Sequence, residues 1–251
     1  MNLDRHDAWT AANAITFDAF LSVIPLLAIA GYVLHRLNQS GDLVVAPLLR
    51  AAPSQIQKIT DIEFLRLSEQ GALTLAPISI IGFLWLSSSG LSTTMGVFDV
   101  VYKAVPRTWY HRRVIAIGLV MLALAVGALT AVGTVGLIGL CGPRAAPSVA
   151  IATPMLVMVA SVAGFFRIAI RRKAHIRRRY VPGAVVTVLL WGVVSSLFST
   201  YVRVFARYAT FYGSLAAVAI LLFWLWLLTL SLLVGGEVNA DLEGVRDEVP
   251  T

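Results

Sequence analysis

The chain has 251 residues, 58% hydrophobic and only 13% charged, with mean hydropathy +0.82 and formal net charge +7. Soluble domains carry about 25% charged residues and cannot enclose this much apolar surface in one core, so a soluble globular protein is excluded and the bilayer must act as solvent. The single cysteine, Cys141, has no partner for an internal disulfide, and the basic residues gather at the ends of apolar runs rather than over a face, which argues against a nucleic-acid surface.

An all-α polytopic membrane protein follows. A hydrocarbon core about 30 Å thick takes about 20 apolar residues at ~1.5 Å rise each. Runs of that length lie near Ala11–Leu34, Ala76–Val97, Val114–Leu140, Ser148–Ile170, Gly183–Val202 and Phe211–Val234, which predicts a single domain over residues 1–251 built as a bundle of six spanning helices.

The first run contains Asp18, with Ser22 and Pro25 following at i+4 and i+7 on the same helical face. Proline there frees the carbonyl of Leu21, so one face offers a carboxylate, a hydroxyl and an unpaired carbonyl, and should point into the bundle. Ala28-Ile29-Ala30 resembles a signal cleavage site, but Asp4, Asp7 and Asp18 disagree with a signal peptide and the segment is expected to be retained. The connection from about His35 to Gly71 holds Ile56, Ile59, Ile62 and Phe64 or Leu65 near helical spacing, which predicts a short amphipathic segment in the first outer loop, a cap over the bundle or else a gate for substrate.

The second run carries the tract Ser87-Ser88-Ser89-Gly90-Leu91-Ser92-Thr93-Thr94-Met95-Gly96, whose hydroxyls can bond back to their own helix or line a hydrated interior face. Asp99 follows at its end. Arg112 and Arg113 precede the third run, in which Gly133, Gly136 and Gly139 form a stripe expected to allow close helix approach. The fourth run ends at Arg167 and leads into Arg171, Arg172, Lys173, Arg177, Arg178 and Arg179. The fifth repeats the hydroxyl theme at Ser195, Ser196, Ser199 and Thr200, and the sixth closes on Glu237 and a short acidic tail. Trp109, Tyr110, Tyr180, Tyr208 and Tyr212 fall near run ends, where amphipathic rings favour the interface.

Orientation follows from Lys and Arg, which cytoplasmic loops carry in excess. With both termini inside, thirteen of the twenty lie on the cytoplasmic side, and the second and fourth connections carry eleven against three for the third and fifth. Asp18, Asp99 and Glu237 then share the cytoplasmic half with Arg112, Arg113 and Arg167. Together with Ser22, Pro25, Ser88 and Ser89 they are the candidate intramembrane polar site, a vestibule for an ionic substrate or lipid headgroup; the plainer account is interfacial ion pairing and snorkelling. The loop cations Arg171, Arg172, Lys173, Arg177, Arg178 and Arg179, with Arg112, Arg113 and Arg167, form the headgroup or topology cluster.

Enzyme templates fail: His6, His35, His111 and His175 lack metal-ligand spacing, and no nucleophile elbow, P-loop or dinucleotide fingerprint is present. No catalytic residue, cofactor or metal is expected. Membrane lipids, anionic ones foremost, are the expected partners and nucleic acid is not; homo-oligomer formation is left open.

Several stretches carry a resemblance. Arg179-Tyr180-Val181-Pro182-Gly183-Ala184, then Trp191, Tyr201 and Phe205 to Tyr208, Phe211-Tyr212-Gly213-Ser214-Leu215-Ala216-Ala217, Phe223-Trp224-Leu225-Trp226 and Gly235-Gly236-Glu237-Val238-Asn239-Ala240 resemble the YihY/BrkB family of bacterial inner-membrane proteins. Leu21-Ser22-Val23-Ile24-Pro25-Leu26-Leu27 and Leu84-Trp85-Leu86-Ser87-Ser88-Ser89-Gly90-Leu91 fit the same pattern. The resemblance implies six spanning helices and a plasma-membrane location, with no established biochemical activity. A ribonuclease BN label is widely regarded as misassigned, and movement of lipid-like molecules has been proposed for some members. Two departures stand out: only about ten residues precede the first run, where the family usually has a longer amphipathic lead, and Asp18 stands where an aromatic residue is more common.

The function expected is a transporter or facilitator of an anionic amphiphile or lipid. The rival is a non-transporting scaffold or envelope assembly factor, and a membrane-associated ribonuclease ranks last. A transporter should show a hydrated crevice reaching the mid-membrane between the first, second and sixth helices; a scaffold should show a closed bundle and a partner-sized apolar patch facing out of the membrane; a nuclease would need a metal or acid-base cluster outside the bilayer.

Overall fold

The computed structural model describes residues 8–39, 64–141, 145–170, 179–205 and 209–244. Among these residues six helices run in order: α1 (Ala8–Gln39), α2 (Phe64–Val101), α3 (Trp109–Cys141), α4 (Ala146–Ala169), α5 (Val181–Phe205) and α6 (Ala209–Leu242). All six are long and apolar enough to cross a membrane. The helices outrun the apolar runs, because backbone hydrogen bonding continues after the side chains turn polar. α2 in particular begins at Phe64, so the last part of the expected outer connection is helix continuous with the second span. Ile56, Ile59 and Ile62 of the expected amphipathic segment lie outside the described residues.

Consecutive helices are packed neighbours, α6 returns to α1, and α2 also touches α6. α1 and α2 run antiparallel: Gly90 faces Asp18 and Ile15, and Gly82 faces Pro25. One end of the bundle therefore collects the start of α1, the end of α2, the start of α3, the end of α4, the start of α5 and the end of α6. This basic end is also where the buried core lies, around Met95 and Phe98 of α2, Tyr102 in the turn that follows it, Val162 and Phe166 of α4, and Ala184 and Val188 of α5. Phe98 meets Phe166 edge-on at 5.7 Å between ring centroids.

The tightest crossing joins α5 to α6. A Cβ on Gly183 would collide with the carbonyl oxygen of Gly235 and the amide of Asn239, and one on Gly235 with Thr187. Gly236 lies against Phe98 so closely that a Cβ there would overlap its ring. Side chains are therefore excluded at three positions by backbone or packed neighbours, and only glycine fits. The stripe Gly133, Gly136 and Gly139 behaves differently: nothing lies within 4 Å of a Cβ at any of them, so the close approach expected there is not made among the described residues. Spacing supplies a smooth face but not the neighbour that would use it.

Helix ends at the basic side are capped by backbone and side chains together. α2 stops with Ala104 N donating to Asp99 O at 2.8 Å while Lys103 takes φ 46°, a left-handed cap without glycine. The turn carries Arg107 to the end of α4, where it donates to Ile168 O at 2.7 Å and Ala169 O at 3.0 Å, carbonyls that α4 itself cannot satisfy.

Candidate functional site

Buried polar groups concentrate at the basic end. Asn239 is fully buried; its Oδ1 accepts from Gly183 N at 2.7 Å and its Nδ2 donates to Tyr180 O at 3.3 Å, tying the first turn of α5 to α6. Tyr102 Oη donates to Gly236 O at 2.9 Å, tying the turn after α2 to the same stretch. Asp99 and Glu237 are buried in this layer, 4% and 6% exposed. The sequence pattern alone assigns Asn239 no role. The signal was present: Gly235 and Asn239 lie one turn apart, so a residue without a side chain and a two-sided hydrogen-bonding amide face the same neighbour.

The sequence-predicted polar residues do not converge on one vestibule. Asp18 sits beside Gly90 in the α1–α2 seam, nine residues before Asp99 on α2 and hence ~13 Å deeper along the axis. No hydrogen bond or ion pair joins Asp18 to another described residue. Pro25 faces Gly82 in the same seam. Ser22 Oγ donates to Ala19 O at 2.7 Å, Ser88 Oγ to Trp85 O at 3.0 Å, and Ser89 O accepts from Thr93 Oγ1 at 3.1 Å, so these hydroxyl contacts stay within their own helices. Asp99 and Glu237 belong to the separate layer at the basic end.

The cations divide likewise. Arg112 and Arg113 turn onto α2: Arg112 Nε donates to Ser92 Oγ at 3.0 Å, and Arg113 Nη2 donates to Trp85 O at 2.8 Å with its guanidinium carbon 4.1 Å from the Trp85 ring centroid. Arg167 lies 5.9 Å over the Tyr180 ring. Arg179 is exposed, and its backbone N–H donates to Glu243 Oε1 at 2.7 Å. Arg171, Arg172, Lys173, Arg177 and Arg178 lie outside the described residues. Among the described residues no group of three or more His, Cys, Asp or Glu side chains could hold a metal ion.

A groove of about 440 Å³ opens between α1 and α6, lined by Asn13, Thr16, Phe17, Leu222, Phe223 and Trp226. Its aromatic wall is continuous: Trp226 stacks on Phe223 at 6.1 Å and meets Trp9 at 5.5 Å. Its polar side is set into the same seam. Trp226 Nε1 donates to Asn13 Oδ1 at 2.9 Å; Thr16 Oγ1 donates to Ala12 O at 2.6 Å and lies 3.4 Å from Thr229 Oγ1. The groove is lined from the first and sixth helices, with no residue of the second, which the expected crevice also included. Asn13 and Trp226, 213 positions apart, were not singled out as a pair, because their meeting depends on α6 closing back on α1.

Six membrane-length helices, with polar groups held between them, define a polytopic α-helical membrane protein. The chain belongs to the family described as Virulence factor BrkB, whose model matches residues 1–250. It is 25% identical to a UPF0761 membrane protein of Halorhodospira halophila (strain DSM 244 / SL1) over 94% of this chain and 54% of that one. It is 38% identical to the putative ribonuclease-like protein YfkH of Bacillus subtilis (strain 168) over 35% of this chain and 31% of that one. A UPF0761 membrane protein of Vibrio cholerae serotype O1 (strain ATCC 39315 / El Tor Inaba N16961) is 32% identical over 36% of this chain and 30% of its own length. The matched stretch covers about half or less of each of these relatives. No solved structure matches.

Proposed function

We propose that this protein transports, or eases the passage of, an anionic amphiphile or lipid across the bacterial plasma membrane, admitting it sideways through the α1–α6 groove. The observation that carries the reading is the lining of that groove: Phe17, Leu222 and Phe223 make a largely apolar wall, into which the exposed Asn13 sets one amide within membrane-length helices. A purely apolar seam would suit acyl chains alone, and a polar pore would suit a hydrated solute; a lining of both kinds favours a molecule with both. In this reading the basic end and both termini face the cytoplasm, as the bias of short-loop cations supports. The chain acts without catalysing a covalent step.

Reconstitution into liposomes with parallel lipid-scrambling and solute-flux readouts tests this. Lipid or amphiphile movement above protein-free vesicles is the expected result; folded protein that moves neither would remove the transport reading and leave the scaffold. For orientation, a cysteine placed at Ala174 should stay unreactive toward an impermeant thiol reagent added outside intact cells. Labelling from outside would reverse the assignment.

A further inference from the structure

We propose that Arg112 and Arg113, in the seam between α2 and α3, form a binding site for a phosphate oxyanion, supplied by an anionic lipid headgroup or by free phosphate. The site lies on different helices from the α1–α6 groove and does not rest on the transport reading.

The two side chains take different directions. An arginine near the end of a spanning helix normally snorkels, stretching its head toward the interface. Arg113 does the reverse. Its guanidinium donates to the Trp85 carbonyl, and Trp85 lies seven residues further along α2 from the basic end than Ser92, which Arg112 reaches, a difference of ~10 Å along the helix. The residue is 9% exposed, and its Nε has no hydrogen-bond partner among the described residues. Nor does a described carboxylate form an ion pair with Arg112 or Arg113. A carbonyl and the face of an aromatic ring partly solvate the charge of Arg113, but they do not neutralise it, and a buried guanidinium calls for an anion.

Arg112 provides the accessible half. It is half-buried, its Nε is held by Ser92, and its two Nη groups have no partner among the described residues. Gly96 makes room for this pose: a Cβ there would lie 2.9 Å from Arg112 Nη1. A guanidinium tethered through Nε and open at both Nη groups is the planar fork that grips a phosphate through paired N–H donors, and Arg113 behind it adds a second charge from a low-dielectric position. The depth fits a lipid phosphate. Trp109 and Tyr110, both exposed and in contact at 5.1 Å, sit in the first turn of α3 where amphipathic rings mark the interface, and Arg112 follows Trp109 by about one turn.

The test measures binding to the purified full chain of short-chain phosphatidylglycerol, short-chain phosphatidylcholine and inorganic phosphate, by native mass spectrometry or ligand-induced thermal shift. Wild type should prefer phosphatidylglycerol over phosphatidylcholine by about tenfold; Arg112→Gln should reduce the preference to about twofold, and Arg113→Gln, which removes a charge anchored ~10 Å deeper, should reduce it by a smaller factor. Gly96→Ala keeps both charges but displaces Arg112, and should weaken the preference by about threefold or more. Inorganic phosphate that displaces the lipid at comparable concentration would assign the site to the free anion; phosphate that does not compete would assign it to the lipid headgroup. If Arg113→Gln fails to fold, Arg112→Gln and Gly96→Ala carry the test, because Arg112 is only half-buried. An undiminished preference in Arg112→Gln and Gly96→Ala would overturn the proposal.

Discussion

Two sets of glycines in this bundle have opposite surroundings. Gly183, Gly235 and Gly236 are pressed against backbone, Thr187, Asn239 and Phe98, whereas Gly133, Gly136 and Gly139 meet nothing. The first set lies in the buried polar layer at the basic end; the second lies on the half of α3 where no residue from Met121 to Leu140 is buried. In a membrane the hydrophobic effect does not choose between a lipid neighbour and an apolar helix, so close packing and internal hydrogen bonds must do so. Where both are present, as at α5–α6, the crossing is fixed. Where only a small-residue face is present, lipid is an adequate neighbour.

The contrast is broken most directly by adding one methyl group to each set. Gly235→Ala should cost about 3 kcal/mol, because the new atom meets Thr187 and the α5 backbone at a crossing that cannot widen without losing the Asn239 bonds. Gly136→Ala should change stability by less than about 1 kcal/mol, with helix propensity favouring alanine. Thermal denaturation of the two variants in one detergent checks the pair, and equal losses would refute the distinction.

A smaller effect isolates the hydrogen bonds from the packing. Asn239→Leu leaves Gly183 N–H and Tyr180 C=O without their side-chain partner in a buried site, and should cost about 2 kcal/mol in the same assay. Arg107→Ala uncovers two carbonyls at the end of α4, which is nearer solvent, and should cost about 1 kcal/mol, with faster amide exchange confined to the last turn of α4. The smallest effect has the opposite sign. Lys103 holds a left-handed conformation at φ 46° that glycine adopts without penalty, so Lys103→Gly should stabilise by up to about 1 kcal/mol.

Much of the fold was legible because the bilayer reads sequence coarsely. Each of the six apolar runs corresponds to one of the described helices, and the polar tract from Ser87 to Gly96 sits inside α2. Helix ends were placed short, since hydropathy detects where lipid stops while backbone hydrogen bonding carries α2 back through Arg66 and Glu69 to Phe64. The site was less legible. Asp18, Asp99 and Glu237 share the basic half by position, yet the ~13 Å between Asp18 and Asp99 along α2 comes from the register of α1 against α2, which no local pattern encodes. The direction taken by Arg113 was equally hidden, because an arginine at that position can reach the interface or the interior. The groove depends on contacts between residues 213 positions apart, and single-sequence periodicity does not register such a meeting.

The central claim is that an amphiphile passes through the α1–α6 groove and not along the open face of α3. It is tested most directly by cross-linking that seam during a lipid-movement assay. In a Cys141→Ser background, Asn13→Cys with Phe223→Cys can be bridged by a bifunctional thiol reagent after reconstitution, with a cysteine pair on α3 and α4 at Gly136 and Ile151 as the control. Bridging the groove should abolish scrambling or flux and reducing a cleavable bridge should restore it, while bridging the α3–α4 pair should leave movement intact. Undiminished movement through a fully bridged groove would contradict the account.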